Sequence, residues 1–200
     1  LGSFDTSNVT NMGWMFYNSA ATSLDLSNFD TSKVTNMDEM FRESAATEIN
    51  GLENFNTSKV TSMSSMFSSS KATSIDVSNF DTSKVTNMGY MFSESKATSI
   101  DVSGFNTSNV TNMIRMFYNS AATEIKGLEN FNTSNVTDMF GMFDSSAAIS
   151  LDLSNFNTSN VTNMKSMFSS SKATTLDLSS FDTSNVTNMH SMFYNSAATE

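Results

Sequence analysis

Apolar residues recur along the chain at fixed spacings. Between positions 23 and 46, Leu24-Asp25-Leu26 alternates apolar and polar residues, and Ile75-Asp76-Val77, Ile100-Asp101-Val102 and Leu176-Asp177-Leu178 do the same. A period of two built on branched side chains predicts a short strand with one buried face. Phe29-Asp30-Thr31-Ser32 follows; its short oxygen-bearing side chains bond nearby backbone and favour a turn. Val34-Thr35 reads as a second short extended piece. Met37-x-x-Met40-Phe41 then has the i, i+3, i+4 spacing of one helical face. Thr35 stands where a helix N-cap belongs. The helix is short, because Glu43-Ser44-Ala45-Ala46 leads directly into the next strand.

The pattern returns along the whole chain. Phe-(Asp/Asn)-Thr-Ser-(Asn/Lys)-Val-Thr begins at Phe4, Phe29, Phe55, Phe80, Phe105, Phe131, Phe156 and Phe181, in steps of 25 or 26 residues. All 16 Met lie in Met-x-x-Met-Phe, and Phe140 alone among 17 Phe falls outside the repeat columns, so the enrichment in both is a repeat effect. A longer period lies on top. Thr47 to Asn54 is echoed 76 residues later by Thr123 to Asn130, and Ala197-Ala198-Thr199-Glu200 echoes Ala121 to Glu124. Residues 1–200 therefore read as a single solenoid array, a segment of a longer repeat protein without true caps. A continuation is expected to read Ile/Leu-x-Gly-Leu-Glu-Asn-Phe.

A single unit leaves its apolar side chains open on both flanks, and their burial cannot offset the entropy of ordering the chain. Stacked units complete each other's cover, which is the logic of a solenoid. The expected fold is eight coils, each with one or two short parallel strands and a short helical turn. At ~4.8 Å per parallel strand they span ~40 Å. Leu24, Leu26, Phe29, Val34, Met37, Met40 and Phe41 are the expected core of one coil. Asn11, Asn36, Asn87, Asn112, Asn163 and Asn188, replaced by Ser62 and Asp138, read as an inward ladder that satisfies backbone groups. The Ser column (Ser19, Ser44, Ser70, Ser95, Ser120, Ser146, Ser171, Ser196) is expected to cap the helical turn or to bond backbone similarly.

Composition narrows the function. Ten basic and twenty acidic residues give a formal charge of −10, which argues against a nucleic-acid partner. No apolar run reaches the ~18 residues of a membrane span. With no Cys and a single His, His190, neither a disulfide framework nor a Cys- or multi-His metal centre is expected, and no cofactor. Near-identical coils present columns instead of convergent, distinct groups, so an enzyme is not expected.

The run Leu-Asp-Leu-Ser-Asn-Phe-Asp-Thr-Ser-Lys-Val-Thr-Asn-Met from Leu24 to Met37, with Met40-Phe41 after it, resembles the repeat of BspA-like leucine-rich-repeat bacterial surface proteins, and every copy carries it. The resemblance implies a leucine-rich-repeat-like solenoid on an exported, often wall-attached bacterial protein, extracellular or at the cell surface, that acts in adhesion and partner binding. The chain departs from that pattern in one place. Many members carry a Cys after Met-Phe-x-x, where this chain always has Ser. An Ala-Ala-Thr or Lys-Ala-Thr link also replaces the Leu expected soon afterwards.

Differences between copies concentrate inside Met-x-x-Met and in the pair after Met-Phe. These positions hold the only Trp, all four Tyr and both Arg, the residue types enriched at binding hot spots. They nominate Trp14, Tyr17, Glu39, Arg42, Tyr90, Arg115, Tyr118, Phe140 and Tyr194 as a contact face for a surface protein, a glycan or another copy of the chain. The alternative is that outward positions are merely weakly constrained. A second function class is a self-assembling rod or filament built by end-to-end stacking. A third, ice binding, needs outward Thr columns such as Thr6/Thr31/Thr57 or Thr10/Thr35/Thr61. Asp25, Asp76, Asp101, Asp152 and Asp177 form an acidic column broken by Asn50 and Lys126; it reads as a solvated face, with Ca²⁺ between neighbours as the alternative. The Asn-x-Ser/Thr sequons, among them Asn56, Asn109, Asn132 and Asn185, read as turn chemistry that comes with the repeat.

Overall fold

Successive copies lie side by side in parallel register. One ladder runs through every coil, bridging Asn11, Asn36, Ser62, Asn87, Asn112, Asp138, Asn163 and Asn188 in turn. The structure, a computed structural model, describes residues 1–199; Glu200, which the repeat aligns with Glu124, lies outside the described residues. Strand β1 (Ser23–Asp25) pairs in parallel with β2 (Glu48–Asn50), and β3 (Ser99–Asp101) with β4 (Glu124–Lys126). The chain is a repeat solenoid with few short strands and almost no helix. Its regular helices among the described residues are two single 3-10 turns, Leu52–Asn54 and Leu128–Asn130, and no helix is long and apolar enough to cross a membrane.

Regular strands therefore form at only some of the expected places. Leu24-Asp25 and Ile100-Asp101 are paired, whereas Ile75-Asp76-Val77 and Leu176-Asp177-Leu178 form no regular ladder. Each formal pair leads into a 26-residue unit, where β2 is followed by Gly51 and β4 by Gly127, at φ 96° and 91°. A Cβ at Gly51 would lie 2.5 Å from the backbone nitrogen of Ser27, and one at Gly127 only 2.3 Å from Ser103. Glycine lets these backbones come close, and the strand hydrogen bonds are made where they do.

The Met-x-x-Met-Phe segment is not a helix. Between Met88 and Ser95 the backbone N–H groups alternate between two destinations. Those of Met88, Tyr90, Phe92 and Glu94 donate across to Asn112, Ile114, Met116 and Tyr118 of the next coil, at 2.7–3.0 Å. Those of Met91, Ser93 and Ser95 donate back three residues, to Met88, Tyr90 and Phe92. The remaining one, Gly89, donates to Oδ1 of Asn87. Every donor is satisfied by a chain of tight turns, half of them by the neighbouring coil. The i, i+3 spacing of the methionines is thus the span of a turn. Thr35 caps nothing: its hydroxyl is exposed and donates to the Thr10 carbonyl.

This geometry forces a left-handed residue at two places per coil. Trp14, Glu39, Ser65, Tyr90, Arg115, Gly141, Ser166 and Ser191 have φ of 50–65°, as the second residue inside Met-x-x-Met. Asn18, Glu43, Ser69, Glu94, Asn119, Ser145, Ser170 and Asn195 have φ of 47–58°, two residues after Met-Phe. No β-branched residue occupies either position, in keeping with the steric penalty that branching adds there.

The core columns are as expected: Leu26, Val34, Met37, Met40 and Phe41 are wholly buried, and Leu24 and Phe29 nearly so. Phe16, Phe41, Phe67, Phe92, Phe117, Phe143, Phe168 and Phe193 form one stack, with ring centroids 5.4–5.8 Å apart and planes within 8° of parallel. That is offset stacking, favourable beyond area burial alone.

Polar columns complete the frame. The Asn column is half-buried beyond the exposed Asn11 and is not inward, and its carboxamide Oδ1 accepts the N–H two residues on, as Asn36 does from Asp38 and Asn112 from Ile114. Ser62 is too short for that role. Asp38 of the preceding coil supplies the missing acceptor, taking both the Ser64 N–H and the Ser62 hydroxyl. The Ser column is buried from Ser44 to Ser171, and each hydroxyl accepts the N–H two residues on, as Ser95 does from Ala97. Buried Thr residues replace a rung of the ladder outright. Thr107 Oγ1 donates to the Asn132 carbonyl at 3.0 Å and accepts the Asn132 N–H at 2.8 Å.

Thr107→Val preserves shape and strands both backbone groups of Asn132. It is expected to lower the unfolding free energy by about 2 kcal/mol in urea titration, while Thr111→Val, in the exposed Thr column, changes it by less than about 0.5 kcal/mol. Equal effects at the two sites would contradict this role for the buried hydroxyl.

Candidate functional site: a cleft on the variable face

The turns that carry the left-handed residues also carry the variable side chains. Because every other backbone N–H there is committed to the next coil, the backbone is the same from copy to copy and only the side chains change. Trp14 is 58% exposed and its ring lies 5.2 Å from that of Tyr17. The Arg42 guanidinium lies 5.6 Å from the Tyr17 ring and is held by Glu39 at 2.8 Å and Glu43 at 3.4 Å. Further along, Arg115 sits over the rings of Tyr118 and Phe140, at 4.6 and 4.7 Å, and Lys165 reaches Phe140 at 5.7 Å.

Between these clusters the surface dips. The coil of Phe67 carries only serine at its outer positions, among them Ser65, Ser68 and Ser69. Flanked by Arg42 and Glu43 on one side and by Tyr90, Glu94, Arg115 and Tyr118 on the other, these serines floor a cleft of about 470 Å³. Four of the nominated residues, Arg42, Tyr90, Arg115 and Tyr118, meet here. Glu39 braces Arg42 from behind. Trp14 and Tyr17 flank the Arg42 wall, and Phe140 backs Arg115. Tyr194, 63% exposed, stands apart in the last coil. The serines, Glu43 and Glu94 were not nominated from sequence. The available signal was the contrast between one coil of small residues and its bulky neighbours.

The family model described as "Mycoplasma protein of unknown function, DUF285" matches residues 1–50, 43–125 and 119–200. The chain belongs to this family. The second and third matches begin at 43 and 119, the same offset that separates Glu48 from Glu124, so these two matches recur with the three-coil super-repeat. No curated protein and no solved structure matches the chain.

The other faces of the DUF285 coils are occupied by structural hydrogen bonds. Thr6, Thr31 and Thr57 are buried, so that Thr column offers nothing outward for ice; their hydroxyls replace ladder rungs. Thr10, Thr35 and Thr61 are exposed. The sequon Asn side chains brace the coils. Asn109, Asn135, Asn160 and Asn185 donate their amides to carbonyls of the preceding coil, and Asn56, Asn106, Asn132 and Asn157 accept the N–H of the Ser two residues on. Among the described residues no three His, Cys, Asp or Glu side chains group as metal ligands would.

The acidic column turns its carboxylates back on the chain. Asp76, Asp101 and Asp152 each accept the hydroxyl of the Ser two residues on at 2.6 Å, and its N–H at 3.0–3.1 Å. These bonds, the hydroxyl first, hold the carboxyl groups of Asp25, Asp76, Asp101, Asp152 and Asp177 below the ordinary carboxylate range, and Lys126 adds to the effect at Asp101. A depressed pKa in the folded chain means that the unfolded chain takes up protons first as pH falls. The stabilisation is therefore complete above the ordinary Asp value of ~3.9 and is lost below it, through the folded values. The thermal midpoint is expected to be flat from pH 7 to 5 and to fall below about pH 4. A midpoint unchanged down to pH 2 would contradict it.

Proposed function

We propose that this chain is a non-enzymatic recognition segment of a bacterial cell-surface or secreted protein, a leucine-rich-repeat-type solenoid that engages a partner through the variable outer face of its coils. The observation that carries this reading is the gathering of Arg42, Tyr90, Arg115 and Tyr118 around one cleft, on a frame whose other columns scarcely vary. Aromatic and Arg side chains at the centre of a contact contribute most of its binding energy. The resemblance of the Leu24 to Phe41 run to BspA-like surface proteins supports the setting, and the regular turns support the mechanism: a rigid backbone presents side chains with little ordering left to do on binding.

The test is a binding screen of the purified chain against extracellular matrix proteins and a glycan array. Its hits are then repeated with Tyr17, Tyr90 and Tyr118 replaced by Ser. Loss of affinity by about 30-fold or more is expected from the removal of central aromatics. Hits that the triple variant retains at full affinity would contradict the reading.

A further inference from the structure

Arg42 and Arg115 stand on opposite sides of the cleft and differ in one respect. Arg42 is neutralised by Glu39 and Glu43. Among the described residues, Arg115 has no carboxylate within ion-pair distance; its cation is held by the faces of Tyr118 and Phe140. Its Nε is buried without a hydrogen-bond partner, so the terminal amino groups are the open donors of the guanidinium. Its stem crosses the next coil at Gly141, where an added Cβ would come within 3.1 Å of the Arg115 Cγ. At this position every other copy has a side chain. Arg115 is thus seated by two rings and a glycine, fixed in place before any ligand arrives, with its charge unspent. A guanidinium fork is matched to a carboxylate.

The rest of the cleft is chemically a sugar site. Its lining is Ser, Tyr, Arg and Glu, with no aliphatic side chain to receive a peptide's apolar anchor. Nor can a peptide add as a strand across its floor, because the N–H groups of Ser65, Ser69, Tyr90 and Glu94 are already bonded to the next coil. Serine hydroxyls, together with the carboxylates of Glu43 and Glu94, offer donors and acceptors to a polyhydroxylated ligand. Tyr90 and Tyr118 line it with aromatic carbon, the apolar surface that suits the C–H side of a sugar. Glu43 disfavours an acid group at the Arg42 end of the cleft, which leaves Arg115 on the opposite wall to receive it. The volume of about 470 Å³ lies within the range of small-molecule sites.

We infer that this cleft binds a glycan bearing a carboxylate, and that Arg115 is the residue that receives the acid group. The inference rests on the recognition reading above and names its ligand class. The test is titration calorimetry of the whole chain with sialyllactose and trigalacturonate, each against a neutral counterpart, lactose and the methyl-esterified trisaccharide. At least one acidic oligosaccharide is expected to bind 10-fold or more tightly than its neutral counterpart. Arg115→Gln removes that preference, Arg115→Lys restores only part of it, and Gly141→Ala weakens it by displacing the Arg115 stem. Lys84→Gln, at an exposed cation outside the cleft, leaves the preference within 3-fold. Unchanged circular dichroism shows that each variant folds. Equal binding of acidic and neutral sugars, no binding of either acid, or a preference that survives Arg115→Gln would overturn the inference. If a protein from the earlier screen binds in a Tyr90- and Tyr118-dependent way while both acids fail, the glycan assignment falls and the recognition reading stands.

Discussion

The structure depends on a hydrogen bond made sideways. In each coil's outer turns, alternate backbone N–H groups donate to carbonyls of the next coil, and the residues between them close tight turns within their own coil. An α-helix would keep every such bond to itself and leave neighbouring coils joined by side chains alone. Here half of the donors are satisfied only if another coil lies alongside. Buried Thr107 and its equivalents carry the same dependence to the other side of the core, with a hydroxyl in place of a peptide group. The stacked phenylalanines add apolar cover that also exists only between coils.

Much of this arrangement is legible in the sequence, and what is not has a physical cause. The repeat length, the parallel register and the core columns follow from spacing, because identical side chains must fall beside one another when identical units stack. The helical turn does not follow. Met88, Met91 and Phe92 have a spacing that helices and turns share, and the feature that separates the two is the φ of Tyr90 and Glu94, 59° and 56°. The sequence does carry a trace of it, in the absence of Val, Ile and Thr from those two positions. The incomplete strands have their counterpart in Gly51 and Gly127, whose close approach to Ser27 and Ser103 depends on backbone geometry that no alternation of residues expresses. The compensation of Ser62 by Asp38 is likewise visible only once the coils are side by side.

The candidate site shows how such a frame acquires surface relief. The nominated aromatic and Arg residues were found because they vary, yet variation along the chain does not give depth. Depth comes from the serine coil between them, a stretch that looks featureless in sequence and becomes the floor of the cleft. Gly141 works in the same way: a missing side chain in one coil seats Arg115 of the coil before it. In a fold where each coil touches only its neighbours, a site is assembled from the contrast between adjacent copies, and the outer positions can be exchanged without disturbing the core.

The central claim, that each coil is stabilised by the coils beside it, is tested most directly by length. Chains of four, six and eight coils cut at the same point in the repeat are unfolded in urea. Midpoint and m-value are expected to rise together with coil number, as for a one-dimensional array of coupled units. A midpoint and m-value that stay the same from four coils to eight would contradict it.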